Sequence, residues 1–404
     1  MLFIHAWRNL WRNPRRAWIT LAAVTANTAV LIATYALMHG LIVHAVDNAT
    51  NQVTGEVQVH APEYLSRRSL YATIPDWKQA VARMEEKGVM CAPRSYGFGL
   101  IARGNKSAGA RMWGVDPKAE TRAFTLHRHV EHGGFLSQTP KNGVVLGRKL
   151  ARSLNAGVGD ELVVVVQAAD GSLGNDLYYV TGILKAGGEE TDRSAAILHQ
   201  ADFARLFALP GRAHEIAANT LGAMTPDQVA QIARAAAPDM EVKTWRQLLP
   251  TLSDMVNLFD GAMVIFGSVF LLAGGLGVMN TMLMAAFERM REFGIMKALG
   301  ASPWRIVRDV AAEALVLGAL SAGAGAILGL AGSWYLTIHG IDTSAFAGNY
   351  TVAGVAFDPV WKAVITPRGV LFPVVAMTVI SFLASLYPAA LAARLDPVRA
   401  IHHV

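Results

Sequence analysis

Two kinds of hydrophobic pattern alternate along this chain. In residues 17–38, 261–287, 314–338 and 369–393, apolar side chains fall on every helical face and no charge interrupts them. A helix needs roughly 20 apolar residues to cross about 30 Å of hydrocarbon. Each run therefore predicts a membrane span rather than the core helix of a soluble protein. The first run is too long for the roughly 7–15 residue apolar core of a cleaved signal, and no small-x-small cleavage site closes it. It is expected to stay in place as a span.

Between the first and second runs the pattern shortens. "GEVQVHA" (55–61) alternates as a half-buried strand should, and "PDWKQAVARMEEKG" (75–88) has the Pro start and Gly stop of a helix. "SYGFGLIARGNKSAGARMWGVD" predicts two strands about a Gly-Asn-Lys turn. "DELVVVVQ" and "LYYVTGIL" predict strands joined by "AADGSLGND". "SAAILHQADFARLFAL" predicts a strand and then a helix. "HEIAANTL", "TPDQVAQIARAAAP" and "MEVKTW" predict strand, helix and strand, with Thr225 capping the helix and Pro226 in its first turn. The fold class is thus a membrane protein of four transmembrane α-helices, with a large α+β extracytoplasmic domain inserted between the first and second. The expected segments are an interfacial elbow helix (1–16), a span (17–39), the inserted domain (40–255) and a second span (256–287). A short cytoplasmic helix (288–304), a third span (305–338), an outer loop (339–368), a fourth span (369–393) and a cytoplasmic tail (394–404) complete the chain.

Charge fixes the orientation. Hydrophobic residues make up 53% of the chain and charged ones 16%, with a formal net charge of +6. In the inserted segment Lys and Arg balance Asp and Glu, so the excess belongs to the membrane part and its flanks. Arg8, Arg12, Arg15 and Arg16 precede the first span. Arg289, Arg291, Lys297, Arg305 and Arg308 lie between the second and third, and Arg394 and Arg399 follow the fourth. By the positive-inside bias these segments are cytoplasmic and the inserted domain is outside. The basic pI needs no nucleic-acid partner. The single cysteine, Cys91, excludes an intramolecular disulfide. In "FIHAWRNLWRNPRR", Phe3, Ala6, Trp7, Leu10 and Trp11 share one helical face, with His5, Arg8, Asn9 and Arg12 opposite. This predicts an interfacial helix, turned into the first span at Pro14.

Between the second and third spans stands "ERMREFGIMKALGASPWRIVR" (288–308). Gly300 permits the left-handed turn that stops a helix, while Ser302 can cap and Pro303 can open the next. The result is a short helix held between two spans, with Phe293, Met296 and Leu299 as an apolar ridge that has no evident core of its own. Such an element suits docking in another protein's groove. An amphipathic loop on the membrane surface is the alternative.

These residues carry a resemblance. "ERMREFGIMKALGASPWRIVR", "AWRNLWRNPRRAWITL", "YPAALAARLDPVRAI" and "GVDP" followed by "GVVLGRKLARSLNAGVGDELVVV" resemble the ABC-transporter permeases of the macrolide-exporter, lipoprotein-releasing and cell-division type. The resemblance implies that the short helix is the coupling helix that docks on an ATPase. The docking set is then Glu288, Arg291, Glu292, Phe293, Met296, Lys297, Leu299, Gly300 and Ser302. It also implies a second permease, as homodimer or heterodimer, contact with membrane lipids, and a periplasmic carrier or adaptor protein. By the same likeness the first and second spans line a cargo entrance. Met255, Leu258, Phe259, Met263 and Phe266 offer flexible apolar surface there for acyl chains.

No phosphate-binding loop is present: "GNKSAG" (104–109) lacks the required spacing. Because the chain opens on the elbow segment, ATP and Mg are expected on a separate ATPase subunit, with no cofactor held here. In "HRHVEH" (127–132), His127, His129, Glu131 and His132 suit neither one helix face nor one strand face, so no metal is expected. Asn27, Thr28 and Asn280 are expected to bond between spans. Gly318, Ser321, Ala322, Gly325 and Gly329 should allow close packing, and Asp309 and Glu313 should stay hydrated or pair with arginines. The expected function is ATP-driven extraction of an amphiphilic cargo, foremost lipoprotein release from the inner membrane. Regulation of cell-wall hydrolases and efflux of a small amphiphile are the alternatives.

Overall fold

The computed structural model describes residues 7–9, 11–185, 188–343, 351–352, 355–356 and 360–394. Phe3, His5, Ala6 and Leu10 of the elbow, part of the 339–368 loop and the tail beyond Arg394 lie outside the described residues. The chain divides into two compact units. One comprises residues 1–43, 256–345 and 360–404, and the other residues 44–255 with 346–359.

The first unit is helical. Its long elements are α1 (Pro14–Ala49), α2 (Pro250–Glu288), α3 (Met290–Ala298), α4 (Pro303–Ile338) and α5 (Pro367–Ala393). All but α3 are long and apolar enough to cross a membrane. α1 outruns its predicted span because no Pro or Gly breaker follows Gly40 until Gly55. There a φ of +78° ends a π-helical turn, Thr50–Thr54. α4 packs through its small residues. A Cβ added at Gly318 would lie 2.6 Å from Ser381 Cβ, and one at Gly325 would lie 2.6 Å from Thr28 Cβ. Neither could be accommodated, so glycine is what allows these helices to approach. Asn27 Nδ2 donates to the Phe270 carbonyl at 2.8 Å and Thr25 Oγ1 to that of Ser321 at 3.1 Å, as expected for polar groups inside spans. Thr28 instead bonds its own helix at Val24, and Asn280 is exposed.

The second unit is built on a ten-stranded mixed sheet. Its strands are β1 (Val57–His60), β2 (Met90–Arg103), β3 (Lys106–Val115), β4 (Val130–Gly133) and β5 (Gly143–Gly147), followed by β6 (Glu161–Gln167), β7 (Leu173–Leu184), β8 (Ala195–His199), β9 (Glu215–Asn219) and β10 (Glu241–Thr244). They run in the order β10-β1-β9-β2-β3-β8-β5-β7-β4, with β6 between β2 and β7. The β2–β3 hairpin turns at Gly104-Asn105, where Gly104 has φ +58°. Helix Pro226–Ala236 is capped by Thr225 as expected, and the cap is a full capping box in which Thr225 and Gln228 bond reciprocally. Two expectations change. β7 begins at Leu173, so "LGND" belongs to the strand and not to the loop. β1 is buried on both faces, because its polar side chains find partners: Gln58 bonds Thr54 and His60 bonds Glu215.

β2 carries a buried charge into this domain. The Arg94 side chain is fully buried; it binds Glu120 at 2.7 and 3.0 Å and Glu215 at 3.1 Å. Tyr96 donates to Glu215 at 2.9 Å, and the Arg94 guanidinium lies 4.4 Å from the Phe124 ring centre. Burial alone would raise the Glu215 carboxyl. The hydrogen bond from His60, the Arg94 charge and the Tyr96 hydroxyl outweigh it and hold the group at about 2. The folded value lies below the unfolded one, so this stabilisation is present above the ordinary carboxylate range and is lost as pH falls toward about 2. Replacing Arg94→Met removes the ion pair of buried Glu120 and leaves buried Glu215 with only Tyr96 and His60. It should cost about 3–5 kcal/mol, read as a lowered urea midpoint for exchange protection in β2 and β9. An unchanged midpoint would mean the cluster adds nothing to the domain.

Candidate functional site

At the cytoplasmic end of the helical unit the chain leaves α2, turns at Arg289 and forms α3. Two bonds close α3 as a Schellman motif: Ala301 N–H donates to Met296 O at 2.9 Å, and Gly300 N–H donates to Lys297 O at 3.0 Å. Gly300 has φ +88°, the conformation its position requires. Ser302 has the extended backbone of an N-cap and Pro303 opens α4. The Ser302 side chain makes no cap bond, contrary to expectation; the fixed φ of Pro303 starts the helix without it.

The apolar ridge is split. Phe293 is 2% exposed and packs among Ala286, Ile306, Val310, Ala389 and Ala392. Met296 is half-buried against the same cluster. The ridge therefore does have a core of its own, and it anchors α3 to the ends of α2, α4 and α5. Leu299 is 84% exposed, and Ile295 (46%) and Trp304 (72%) join it as outward apolar residues. Arg291, Gly300 and Ser302 are exposed around them.

Ionic contacts hold α3 from its other side. Arg12 of the elbow makes a two-pronged contact with Glu292 at 2.7 and 3.1 Å. Its hydrogen bond keeps the Glu292 carboxyl below the ordinary range. Arg16 and Asn13 reach Glu288 at 3.0 and 2.7 Å. Arg289 binds both oxygens of buried Glu313 at 2.7 and 3.0 Å and lies 5.2 Å from the Phe293 ring centre. Asn9 adds a bond to Glu313 at 2.7 Å. Lys297 donates to the Ala393 carbonyl at the end of α5 at 3.0 Å, meeting an acceptor that the helix terminus leaves open. Of the expected docking residues, Glu288, Glu292 and Lys297 thus bind within the unit. Sequence reasoning read the elbow as an interfacial helix, did not pair its arginines with Glu288 or Glu292, and missed Ile295 and Trp304. The signal for the clamp was charge balance: Glu288, Glu292 and Glu313 lie amid the basic residues of this region.

Elsewhere, Met255, Phe259, Met263 and Phe266 fall on one stripe of α2, with Leu258 beside it. Leu258 (73%) and Phe266 (55%) are exposed, and the other three are half-buried. His127 and His129 sit in a short helical turn and Glu131 and His132 in β4. Among the described residues no group of three or more such side chains is placed to hold a metal.

Comparison with known proteins covers nearly the whole chain. Residues 17–237 match the family model of the MacB-like periplasmic core domain, and residues 264–397 that of the FtsX-like permease C-terminal region. The lipoprotein-releasing system transmembrane protein LolC of Xylella fastidiosa is 25% identical over 97% of this chain and 95% of that protein. LolE of Haemophilus influenzae is 25% identical over 96% and 95%. The macrolide export ATP-binding/permease protein MacB of Marinobacter nauticus is 25% identical over 80% of this chain and 51% of its own length. Among solved structures, the periplasmic region of MacB from Actinobacillus actinomycetemcomitans is similar with a TM-score of 0.37 and 12% identity, covering 49% of this chain and 91% of that one.

The split ridge separates two substitutions that the sequence treats alike. Phe293→Ala opens a cavity and should cost about 3–5 kcal/mol. Leu299→Ala should stay within about 0.5 kcal/mol. Thermal unfolding of the purified chain in detergent reads both. Parental melting of Phe293→Ala would refute the inward packing.

Proposed function

The chain belongs to the ABC transporter permeases that join a MacB-like periplasmic core domain to an FtsX-like membrane part, and from that membership we propose that it serves lipoprotein release. It is an inner-membrane protein with four spanning helices and a periplasmic domain after the first. Permeases of this kind work with an ATPase subunit. In our reading, ATP-driven movement of that subunit extracts a lipid-anchored protein from the outer leaflet of the inner membrane. The observation that carries the cargo reading is the match to LolC along almost the full length of both chains.

The geometry of α3 supports its role as the coupling element. Its outward face offers Ile295 and Leu299 to a partner, joined by Trp304 in the first turn of α4 and ringed by Arg291 and Arg305. Its inward face is fixed to α2, α4 and α5 through Phe293, and its acidic side to the elbow through Arg12, while Arg16 of α1 binds Glu288 at the end of α2. A push on Leu299 would therefore reach all four spans together. Arg289–Glu313 and Lys297–Ala393 would carry it to α4 and α5.

Burying a leucine against a partner contributes roughly 1.5–3 kcal/mol. Leu299→Asp should thus weaken ATPase association by about tenfold or more while leaving the melting temperature of the isolated permease unchanged. Retention of the ATPase on purification, with parental ATP turnover, would remove α3 from the docking role. The cargo reading is tested in proteoliposomes holding the permease, its ATPase and a triacylated lipoprotein. ATP-dependent transfer of that lipoprotein to a soluble acceptor is expected. Photo-crosslinkers at Leu258 and Phe266 should capture it before ATP is added, and failure of both release and capture would overturn lipoprotein as cargo.

A further inference from the structure

One face of the β2–β3 hairpin changes surroundings along its length. The register sets Tyr96 opposite Trp113, Phe98 opposite Arg111 and Leu100 opposite Gly109. Tyr96, Phe98, Leu100 and Ala102 therefore share a face. At one end this face is covered: Tyr96 and Trp113 are buried with Tyr64, Leu126 and Leu136. At the other end it is open, with Phe98 60% and Leu100 46% exposed. The open part continues across β6 and β7. Leu100 faces Val165, and Val163 pairs with Leu177 beside Tyr179. Val163, Leu177 and Tyr179 are all exposed. A strip of apolar side chains thus runs outward from the point where the cover stops.

A cleft of about 280 Å³ opens at that point. Phe98 belongs to both cleft and strip. Trp113 lines the cleft, is 3% exposed, and has a buried indole N–H with no hydrogen-bond partner among the described residues. A buried donor without an acceptor is costly unless something meets it. Arg111 lies over the rings of Tyr96 and Trp113, 4.4 and 5.3 Å from their centres. Its ion pair among the described residues is a 3.4 Å contact to Glu190, whose side chain is 74% exposed. Arg68 lines the cleft and is exposed, with no ion pair among the described residues. Glu215 also lines the cleft, but both of its oxygens are taken by Arg94, Tyr96 and His60.

We propose that this cleft binds a single-chain amphiphile with a carboxylate head. The head meets Arg111 and Arg68 and offers an acceptor to the Trp113 N–H. The apolar chain leaves past Phe98 and lies along Leu100, Val165, Val163 and Leu177. Arg111 and Arg68 are set against the exposed Glu190, while Glu215 shares Arg94 with Glu120, so the cleft can spare one positive charge at most. That favours a carboxylate over a phosphate dianion. The proposal is independent of the transport reading, since it concerns a ligand held by the periplasmic domain and needs no ATPase.

The test uses the full chain in nanodiscs of zwitterionic lipid and a diazirine-bearing fatty acid. Photolabelling should map to β2 and β6. Laurate should compete for the label, while dodecyl maltoside and dodecyltrimethylammonium, with the same tail, should not. Dodecyl phosphate should compete less well than laurate. Arg68→Gln, at an exposed position, and Arg111→Gln should each weaken labelling about tenfold. Trp113→Phe, which keeps a ring but removes the donor, should weaken it less. Equal competition by the neutral or cationic amphiphile would overturn the proposal and leave only an apolar strip. Stronger competition by dodecyl phosphate would overturn the carboxylate assignment. Labelling unchanged by Arg68→Gln in a protein that melts as the parent would remove the head-group site.

Discussion

A carboxylate withdrawn from water at the inner end of α4 sets the cytoplasmic geometry of this protein. Glu313 is 6% exposed, in a helix whose next residues are apolar for the length of a span. A buried charge without partners would be far more costly than any single packing contact here. It is met by both oxygens binding Arg289 and by a bond from Asn9. Those partners come from the end of α2 and from the elbow. Satisfying one charge therefore brings three separate stretches of chain to one point. Arg289, once placed, also lies over Phe293, so the ion pair and the apolar anchor of α3 fix each other.

The periplasmic domain uses the same device on a different scaffold. Arg94 on β2 joins Glu120, from a helix following β3, to Glu215 on β9, and also binds the Val53 carbonyl in the π-helical turn. Pairing of this kind adds little net stability over a well-packed apolar core. What it adds is a unique arrangement, because a shifted strand would leave a charge unpaired. β2 needs that constraint. It is paired with β3, β9 and β6, and the hydrophobic pattern alone would tolerate more than one register along so long a strand.

The spans, the orientation and the Gly300 turn were legible in the sequence because each rests on a local rule. Spans depend on run length, orientation on arginine placement, and the Schellman closure on one glycine. What was not legible depends on neighbours distant in the chain. The periodicity around Phe293, Met296 and Leu299 shows residues near one another on a short helix. It does not show that Ala286, Ile306 and Ala389 close over two of them and leave the third outside. β1 misled for the same reason: its alternation is real, but Gln58 and His60 turn to internal partners instead of water. The partners of Arg12 and Arg16 were not foreseen, because their acids lie in a segment more than two hundred residues away.

The two kinds of fastening at α3 differ in how they respond to strain, and that difference bears on what α3 can transmit. Phe293 is held by close packing, which resists displacement until the cluster opens as a whole. The Arg12–Glu292 pair is exposed on both sides, 57% and 44%, so water and salt compete for it and its partners can part and rejoin with little loss. A load applied at Leu299 thus acts on an element rigidly tied to α2, α4 and α5 but more loosely tied to the elbow. Movement of α3 would carry α2, α4 and α5 with it while the Arg12–Glu292 pair yields, and α1 would follow through its own packing on α4 at Gly325 and its Asn27 bond to α2.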